Sequence, residues 1–317
     1  MRPRASGGVA GPSEPRLGLW LAAILAVMPK TNRPRDSQKR AKGARPSHET
    51  PKSFSEEDVE DIEERSRLRA PMIYEVVRRE GEEEMRRPIT SLWWSGVAAG
   101  LSISFSLLVE GVLKLQLPKG PWQPLLISLG YPVGFLIVVL ARQQLFTENT
   151  ITAVLPLAAE FTPANLMRLG RLWAIVFAAN MIGTLAAAAF CTFSPAVAPQ
   201  LRDAMLEISR EMMQNGWAAM CFKGVTSGYL IAAMVWLIPS AEASQFSVVT
   251  LMTYVIAMGG FTHVVAGSVE AFLLLLNGQL SFLHLVTGFT APVLLGNVVG
   301  GTVLFALISY AQIMKEL

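Results

Sequence analysis

His263 is the residue of this chain best placed to do chemistry. It lies in Ser247–Leu276, SVVTLMTYVIAMGGFTHVVAGSVEAFLLLL, just past Gly259-Gly260. An imidazole titrates near pH 6.5, so it can give or take a proton close to neutrality. At membrane depth an ionisable ring is costly unless it has a partner or a cavity. This stretch of 30 residues exceeds the roughly 20 that one span needs. Its two glycines each cost a helix about 1 kcal/mol relative to alanine. The pattern predicts a helix broken at depth, where unwound backbone is tolerated only if it lines a cavity. The plainer reading is a buried histidine with one hydrogen-bond partner in a kinked helix.

A second break has the same character. The apolar run from Pro124 to Ala159 is interrupted by Arg142-Gln143-Gln144-Leu145-Phe146-Thr147-Glu148-Asn149. Asn180-x-x-Gly183 and Asn297-x-x-Gly300 stand 117 residues apart, as do Leu145 and Thr262. A buried asparagine in such a motif can donate to the unwound backbone of a neighbouring broken helix. Lys223, inside an apolar run, either snorkels toward the outer face or draws anions into a vestibule. Glu110 and Arg142 at span ends are explained by snorkelling, and Arg142 could pair with Glu148 across the break. Glu270, seven residues beyond His263, could be a pore or protomer-interface acid.

The elements that must hold these groups follow from composition. The chain has 317 residues, 52% of them hydrophobic, and a mean hydropathy of +0.41. Of 27 Lys+Arg, 18 lie in residues 1–88; of 24 Asp+Glu, 15 do. The remaining residues therefore hold nine charges of each sign, and the net +3 belongs to the tail. This is the balance of a polytopic membrane protein with a charged tail, and it suggests no nucleic-acid partner.

Residues 1–52 read as a basic, disordered tail. Leu17–Met28 resembles a short signal-peptide core, a shallow interfacial anchor, or sequence upstream of a true start at Met28. Residues 53–88 read as a charged helical segment. Capping boxes begin at Ser53 and Ser55. Pro71 opens a helix carrying Ile73, Val76 and Val77, with Glu75 and Arg79 as an i,i+4 pair. This segment is a solvated helix or one that docks beneath the membrane domain.

Residues 89–317 hold six apolar segments, near 92–112, 124–159, 172–190, 218–237, 247–276 and 289–313. Gly96-x-x-x-Gly100 in the first is a small-residue packing pattern. The expected fold is an all-α polytopic membrane protein with six transmembrane helices in a 3+3 inverted repeat, the second and fifth broken. Arg86 and Arg87 abut the first span, which puts the N-terminus, and with six spans the C-terminus, in the cytoplasm.

Several of these stretches resemble the formate/nitrite transporter family. Leu145-Phe146-Thr147-x-Asn149 is similar to its L-F-T-x-N signature. Gly260-Phe261-Thr262-His263-Val264-Val265-Ala266 is similar to G-F-E-H-x-x-A. Pro292 to Gly301 is similar to P-V-x-x-G-N-x-x-G-G, and Asn180-x-x-Gly183 fits the third helix. The resemblance covers about residues 90–314 and implies an aquaporin-like fold and a homo-pentamer in a lipid bilayer, here the bacterial inner membrane. It implies passage of small monovalent weak-acid anions such as formate or nitrite. By position, His263 would be the central pore histidine, Thr147 the threonine facing it, and Asn297 the polar residue of the last helix. Leu145, Phe135 and Ile256 would be apolar constrictions. Phe146, Thr262, Asn149, Asn180 and Lys223 complete the expected pore set. The chain departs from the pattern at Gln144, Glu148, Thr262, Gly267 and Gly228.

A mechanism follows from this set. An apolar constriction excludes a bare anion and admits the neutral acid. His263 could supply the proton, and Thr147 could hold the ring through its hydroxyl. A neutral-solute channel of aquaporin type and a non-transporting scaffold with a docking tail are the competing functions. No Asn-Pro-Ala pair supports the first. Nothing points to an enzyme, a cofactor or a metal: there is no H-E-x-x-H, no P-loop and no Cys/His cluster, and Cys191 and Cys221 sit in apolar runs.

Overall fold

The computed structural model describes residues 68–316. The expected capping boxes at Ser53 and Ser55, and the segment around Leu17–Met28, lie outside the described residues. Helix α1 (Ala70–Arg86) starts at the proline predicted to open it. The membrane part follows as α2 (Ile89–Gln116), α3 (Gln123–Leu140), α4 (Asn149–Ala159), α5 (Pro163–Phe193), α7 (Trp217–Ser240), α8 (Gln245–Met258), α9 (Ala266–Leu276) and α10 (Phe282–Ile313). Between α5 and α7 lies α6 (Pro199–Met213). The loop expected from Lys114 begins only after Gln116.

Five helices are long and apolar enough to cross a membrane: α2, α3, α5, α7 and α10. The stretch from 247 to 276, expected to be broken, forms two shorter apolar helices, α8 and α9, and α4 is a third short one. Their irregular joints are therefore the centre of the fold.

Both joints are made the same way. Helix α3 ends with Arg142 in the left-handed region, φ 51°, and α8 ends with Gly260 at φ 58°. In each, two amides fold back on the last turn: Arg142 and Gln143 onto Val139 and Val138, Gly260 and Phe261 onto Ala257 and Ile256. This is the left-handed helix cap, for which glycine is the easy residue. Arg142 adopts it at a cost of about 1 kcal/mol or more.

The long helices cross closely where glycines remove side chains. A Cβ on Gly100 of α2 would lie 2.4 Å from the Asn180 carbonyl of α5. A Cβ on Gly228 of α7 would lie 2.4 Å from the Asn297 carbonyl of α10. Each crossing thus brings an asparagine flush against its neighbour, the small-residue packing expected of membrane helices. Helix α5 begins with Thr162 capping the Asn165 amide and Pro163 in the first turn. At 31 residues it is about 46 Å long, well over the roughly 30 Å hydrocarbon thickness. Helix α10 carries two π-helical stretches, Leu285–Thr290 and Val299–Ala306. The second lies against α4, where Thr302 Oγ1 donates to the Thr150 carbonyl at 2.8 Å.

Large apolar side chains such as Trp94, Phe190, Phe222, Phe282 and Ile308 are exposed on the outer faces. Outside a bilayer such a surface would drive association. Helix α1 buries Ile73, Tyr74, Val77 and Met85, while Val76 stays exposed. It packs against α4, and Tyr74 meets Tyr310 at a 5.7 Å ring separation.

Candidate functional site

The two irregular joints meet at His263 and Thr147. Thr147 Oγ1 lies 2.7 Å from His263 Nε2, and both residues are buried. His263 Nδ1 accepts the Ala266 amide at 3.1 Å. The proton of a neutral ring therefore sits on Nε2 and is donated to Thr147. The threonine's own hydrogen is then left over as a donor. Phe135 stands edge-on to the imidazole, 5.1 Å between ring centres.

His263 thus caps the first turn of α9, and its carbonyl also takes the Gly267 amide. Thr147 does the corresponding work for α4: its carbonyl accepts the Thr150 amide and hydroxyl. The N-termini of two half-helices converge on one hydrogen-bonded pair. The positive ends of both dipoles favour negative charge there.

Asparagines hold the joints in place. Asn180 Oδ1 accepts the Phe146 amide at 2.9 Å, and its Nδ2 donates to the carbonyls of Gly96 and Gln144. Asn297 Oδ1 accepts the Val264 amide at 2.8 Å, and its Nδ2 donates to Gly224, Ser227 and Thr262. Four extended-backbone groups are satisfied this way without water. Both side chains are fully buried, and their amide groups brace the backbone of the joints. The matched bonds pair Gln144 with Thr262 and Leu145 with His263. The sequence pairing of Leu145 with Thr262 is one residue out of register.

Other expected pore residues divide. Leu145 and Ile256 are buried beside the joints. Thr262 donates from Oγ1 to the Met220 carbonyl at 2.8 Å and borders the cavity described below. Asn149 donates to Gln144 Oε1 at 3.2 Å within its own loop. Phe146 stacks edge-on against Trp173 and Phe177 of α5. Arg142 and Glu148 make no ion pair; Oε1 of Glu148 is buried without a hydrogen-bond partner.

From His263 a vestibule of about 1030 Å³ opens toward the end of α2 farthest from α1. Lys223 lines it, with Nζ donating to Asn215 Oδ1 at 2.7 Å. Glu110 also lines it and is only 8% exposed, which corrects the snorkelling assignment. Glu270 and Tyr131 complete the deep wall. Tyr131 and Asn215 gave no sequence signal, since their place depends on which helices cross. Helix α6 forms the rim, where Lys114 bridges Glu207 at 3.1 Å and Glu211 at 3.0 Å.

The sequence model of the formate/nitrite transporter family matches residues 71–311. The chain belongs to the formate/nitrite transporter family. It is 44% identical over 259 residues to the Escherichia coli (strain K12) inner membrane protein YfdC, covering 82% of this chain and 84% of that one. It is 23% identical over 244 residues to the Haemophilus influenzae formate channel FocA, covering 69% of this chain and 84% of that one. Among solved structures it resembles a pentameric formate channel with formate bound, TM-score 0.59 at 18% identity, over 71% of this chain and 98% of that one. It resembles an FNT family ion channel at TM-score 0.66 and 16% identity, over 77% and 98% respectively. These likenesses establish an all-helical formate/nitrite transporter fold. Family membership also makes the chain a channel or transporter by class.

Proposed function

We propose that this protein is an inner-membrane pathway for small monovalent weak acids of the formate and nitrite kind, not an enzyme, and that the acid crosses in its neutral form. The observation that carries this reading is the Thr147–His263 pair at 2.7 Å, set where two half-helices meet beside Phe135 and Leu145. Apolar walls make a bare anion expensive, while the helix ends and the spare threonine hydrogen offer a carboxyl or nitrite oxygen a partner. The Ala266 amide occupies Nδ1 of His263. An imidazolium would set a second N–H against that amide. His263 therefore serves as an uncharged hydrogen-bonding group, and the substrate brings its proton from the water of the vestibule.

The matched asparagine brackets support a 3+3 inverted repeat, with α3–α4 and α8–α9 as its two broken members. The pentameric solved relative supports a homo-pentamer with one pathway per protomer. The positive-inside tendency of Arg86 and Arg87 supports a cytoplasmic side for helix α1, with the vestibule on the outer side. Lys223, beside Gly260 in the vestibule, draws the anion toward the joint.

The test is uptake into proteoliposomes of formate, nitrite and glycerol across a pH series. Formate and nitrite uptake rises as pH falls, because the neutral fraction grows, and glycerol is excluded. His263→Ala lowers formate uptake about tenfold, the worth of one good hydrogen bond to a polar substrate group. Unchanged uptake in a folded His263→Ala pentamer would refute the role of the pair. Glycerol uptake without formate uptake would make the protein a neutral-solute channel.

A further inference from the structure

Glu110 and Glu270 have no part in the pathway as described so far. Glu110 comes from the far half of α2 and Glu270 from α9, and these two helices pack on each other. Each side chain is more than nine-tenths buried and borders the vestibule, and neither makes a hydrogen bond or ion pair among the described residues. A carboxylate taken out of water needs a cation or several donors. Neither of these has one, and a charge on either would repel a charge on the other. The form that this wall holds is the uncharged acid, with its O–H free for whatever enters the cavity.

The surrounding elements supply no counter-ion to either. Tyr131 of α3 stands on the same wall. Lys114, one turn beyond Glu110 on α2, is held by Glu207 and Glu211 of α6 at 3.1 and 3.0 Å. Arg210 of α6 donates to Gln279 Oε1 at 2.9 Å. Asp203 and Lys119 border the cavity as well, one of each sign. Helix α5 has no charged residue from 172 to 193, and His284 is exposed at the start of α10. Lys223 lines the cavity from α7, with Nζ on the neutral Asn215 Oδ1 at 2.7 Å. His263 has both ring nitrogens engaged. A substrate entering the vestibule therefore meets one ammonium and two proton-bearing acids before it reaches His263.

We infer that Glu110 and Glu270 are the proton relay of the vestibule: they pass protons to arriving weak-acid anions, which go on to His263 as uncharged acids. This rests on the weak-acid reading above. Lys223 offsets the charge of the anion on its way in. The O–H bond of one glutamic acid breaks as the O–H bond of formic acid forms, so the negative charge moves from the substrate to the side chain. Both partners are carboxylic acids, so in the same dry surroundings the transfer is close to balanced. Formic acid then moves to the constriction, and water of the vestibule returns a proton to the side chain. The second acid stays uncharged throughout, so the wall never carries two like charges. A donor that is already loaded makes uptake less dependent on bulk acidity. In water the neutral fraction of a carboxylic acid falls about tenfold for each pH unit above its pKa. A pathway fed by that fraction alone loses about a hundredfold of its uptake between pH 5 and pH 7, and one fed by the relay loses much less.

The experiment follows formate uptake into proteoliposomes from pH 5 to pH 7, with the same pH on both sides and one total formate concentration. It compares the full chain with Glu110→Gln/Glu270→Gln and Glu110→Asp/Glu270→Asp, each checked for its oligomer by size-exclusion chromatography. Uptake by the unaltered protein falls about tenfold over this range. The glutamine pair has no proton to give, so its uptake falls about a hundredfold with the neutral fraction and stands about tenfold behind the parent at pH 7. The aspartate pair restores the shallow profile, since aspartic acid carries the same proton. A glutamine pair with the parent's profile overturns the relay. So does a glutamine pair lowered by one factor at every pH, which makes the two side chains braces of the wall. An unaltered protein whose uptake already falls with the neutral fraction overturns the relay and leaves the weak-acid reading standing. Absence of formate uptake by the unaltered protein at every pH removes the weak-acid reading and the relay with it.

Discussion

His263 and Thr147 would be an ordinary buried pair if their backbone were helical. Neither joint can satisfy its own backbone, so Asn180 and Asn297 do it from neighbouring helices. Asn297 is the more heavily used, with one acceptor and three donor contacts. Asn297→Asp keeps the shape and the acceptor for Val264 but loses the donors. It leaves the Gly224 and Thr262 carbonyls facing a carboxylate oxygen. The Ser227 hydroxyl still reaches both carbonyls, so the cost is that of the lost amide hydrogen bonds, about 1–3 kcal/mol. The expected outcome is a lower melting temperature and uptake lost together with it, read by thermal size-exclusion on the detergent-solubilised protein; Asn297→Asp melting like the parent would show that the bracket does not hold the joint. Much of this was legible in the sequence. A lone histidine beside Gly-Gly and two N-x-x-G motifs at one spacing announced broken helices braced by asparagine. Phe146 was not legible, because an irregular loop has no period from which to read the direction of a side chain. Glu110 misled for a related reason: a charge near a span end looks like a snorkelling one until the helices that cover it are known.

Helix α1 shows how far periodicity reaches. Pro71, Ile73 and Val77 marked its start and its buried face, but no pattern said that this face meets α4. The contact is close: a Cβ on Gly81 would lie 1.8 Å from the Thr152 carbonyl. On the outer face, Glu75 receives Arg78 at 2.8 Å and Arg79 at 2.7 Å. Those two guanidinium hydrogen bonds hold its carboxyl down at about 2, below the ordinary 4.5. The sign follows from linkage: a depressed carboxyl stabilises the helix above its unfolded value and loses that contribution as pH falls through the folded one. Glu75 is partly open to solvent, so the effect is modest. The protection of the amides of residues 70–86, relative to their intrinsic exchange at each pH, should therefore fall between pH 4.5 and about 2. Glu75→Gln should exchange faster at pH 6 and lose this pH dependence. A helix equally protected at both ends of the range, or a glutamine variant that tracks the parent, would show that the pair does not secure α1. Tyr74 does not enter this window, since burial and the nearby Tyr310 raise its hydroxyl to about 12.

At the scale of the whole molecule the charge divides as the sequence said, with the net +3 confined to residues 1–88 and an even balance beyond. Among the described residues, the hydrogen bonds that brace the two joints run between residues 95 and 302. Helix α1 stands between the two regimes, since it is charged on one face and seated on α4 and α10 by the other. Arg171 of α5 anchors its end by donating to the carbonyls of Met85 and Arg87 at 3.1 and 3.0 Å. Two truncations separate these parts. Removing residues 1–67 should leave oligomer, melting temperature and formate uptake unchanged. Removing residues 1–86 should uncover the apolar seat of α1 around Thr152 and Tyr310 and lower the melting temperature, because buried aromatic and aliphatic side chains carry about 1.5–3 kcal/mol each. If the shorter truncation already abolished uptake from an intact oligomer, the tail would belong to the pathway itself. If it kept uptake but lost an effect seen only in cells, the tail would be a docking arm carried by a working pore, which joins the two functions that the sequence left as rivals.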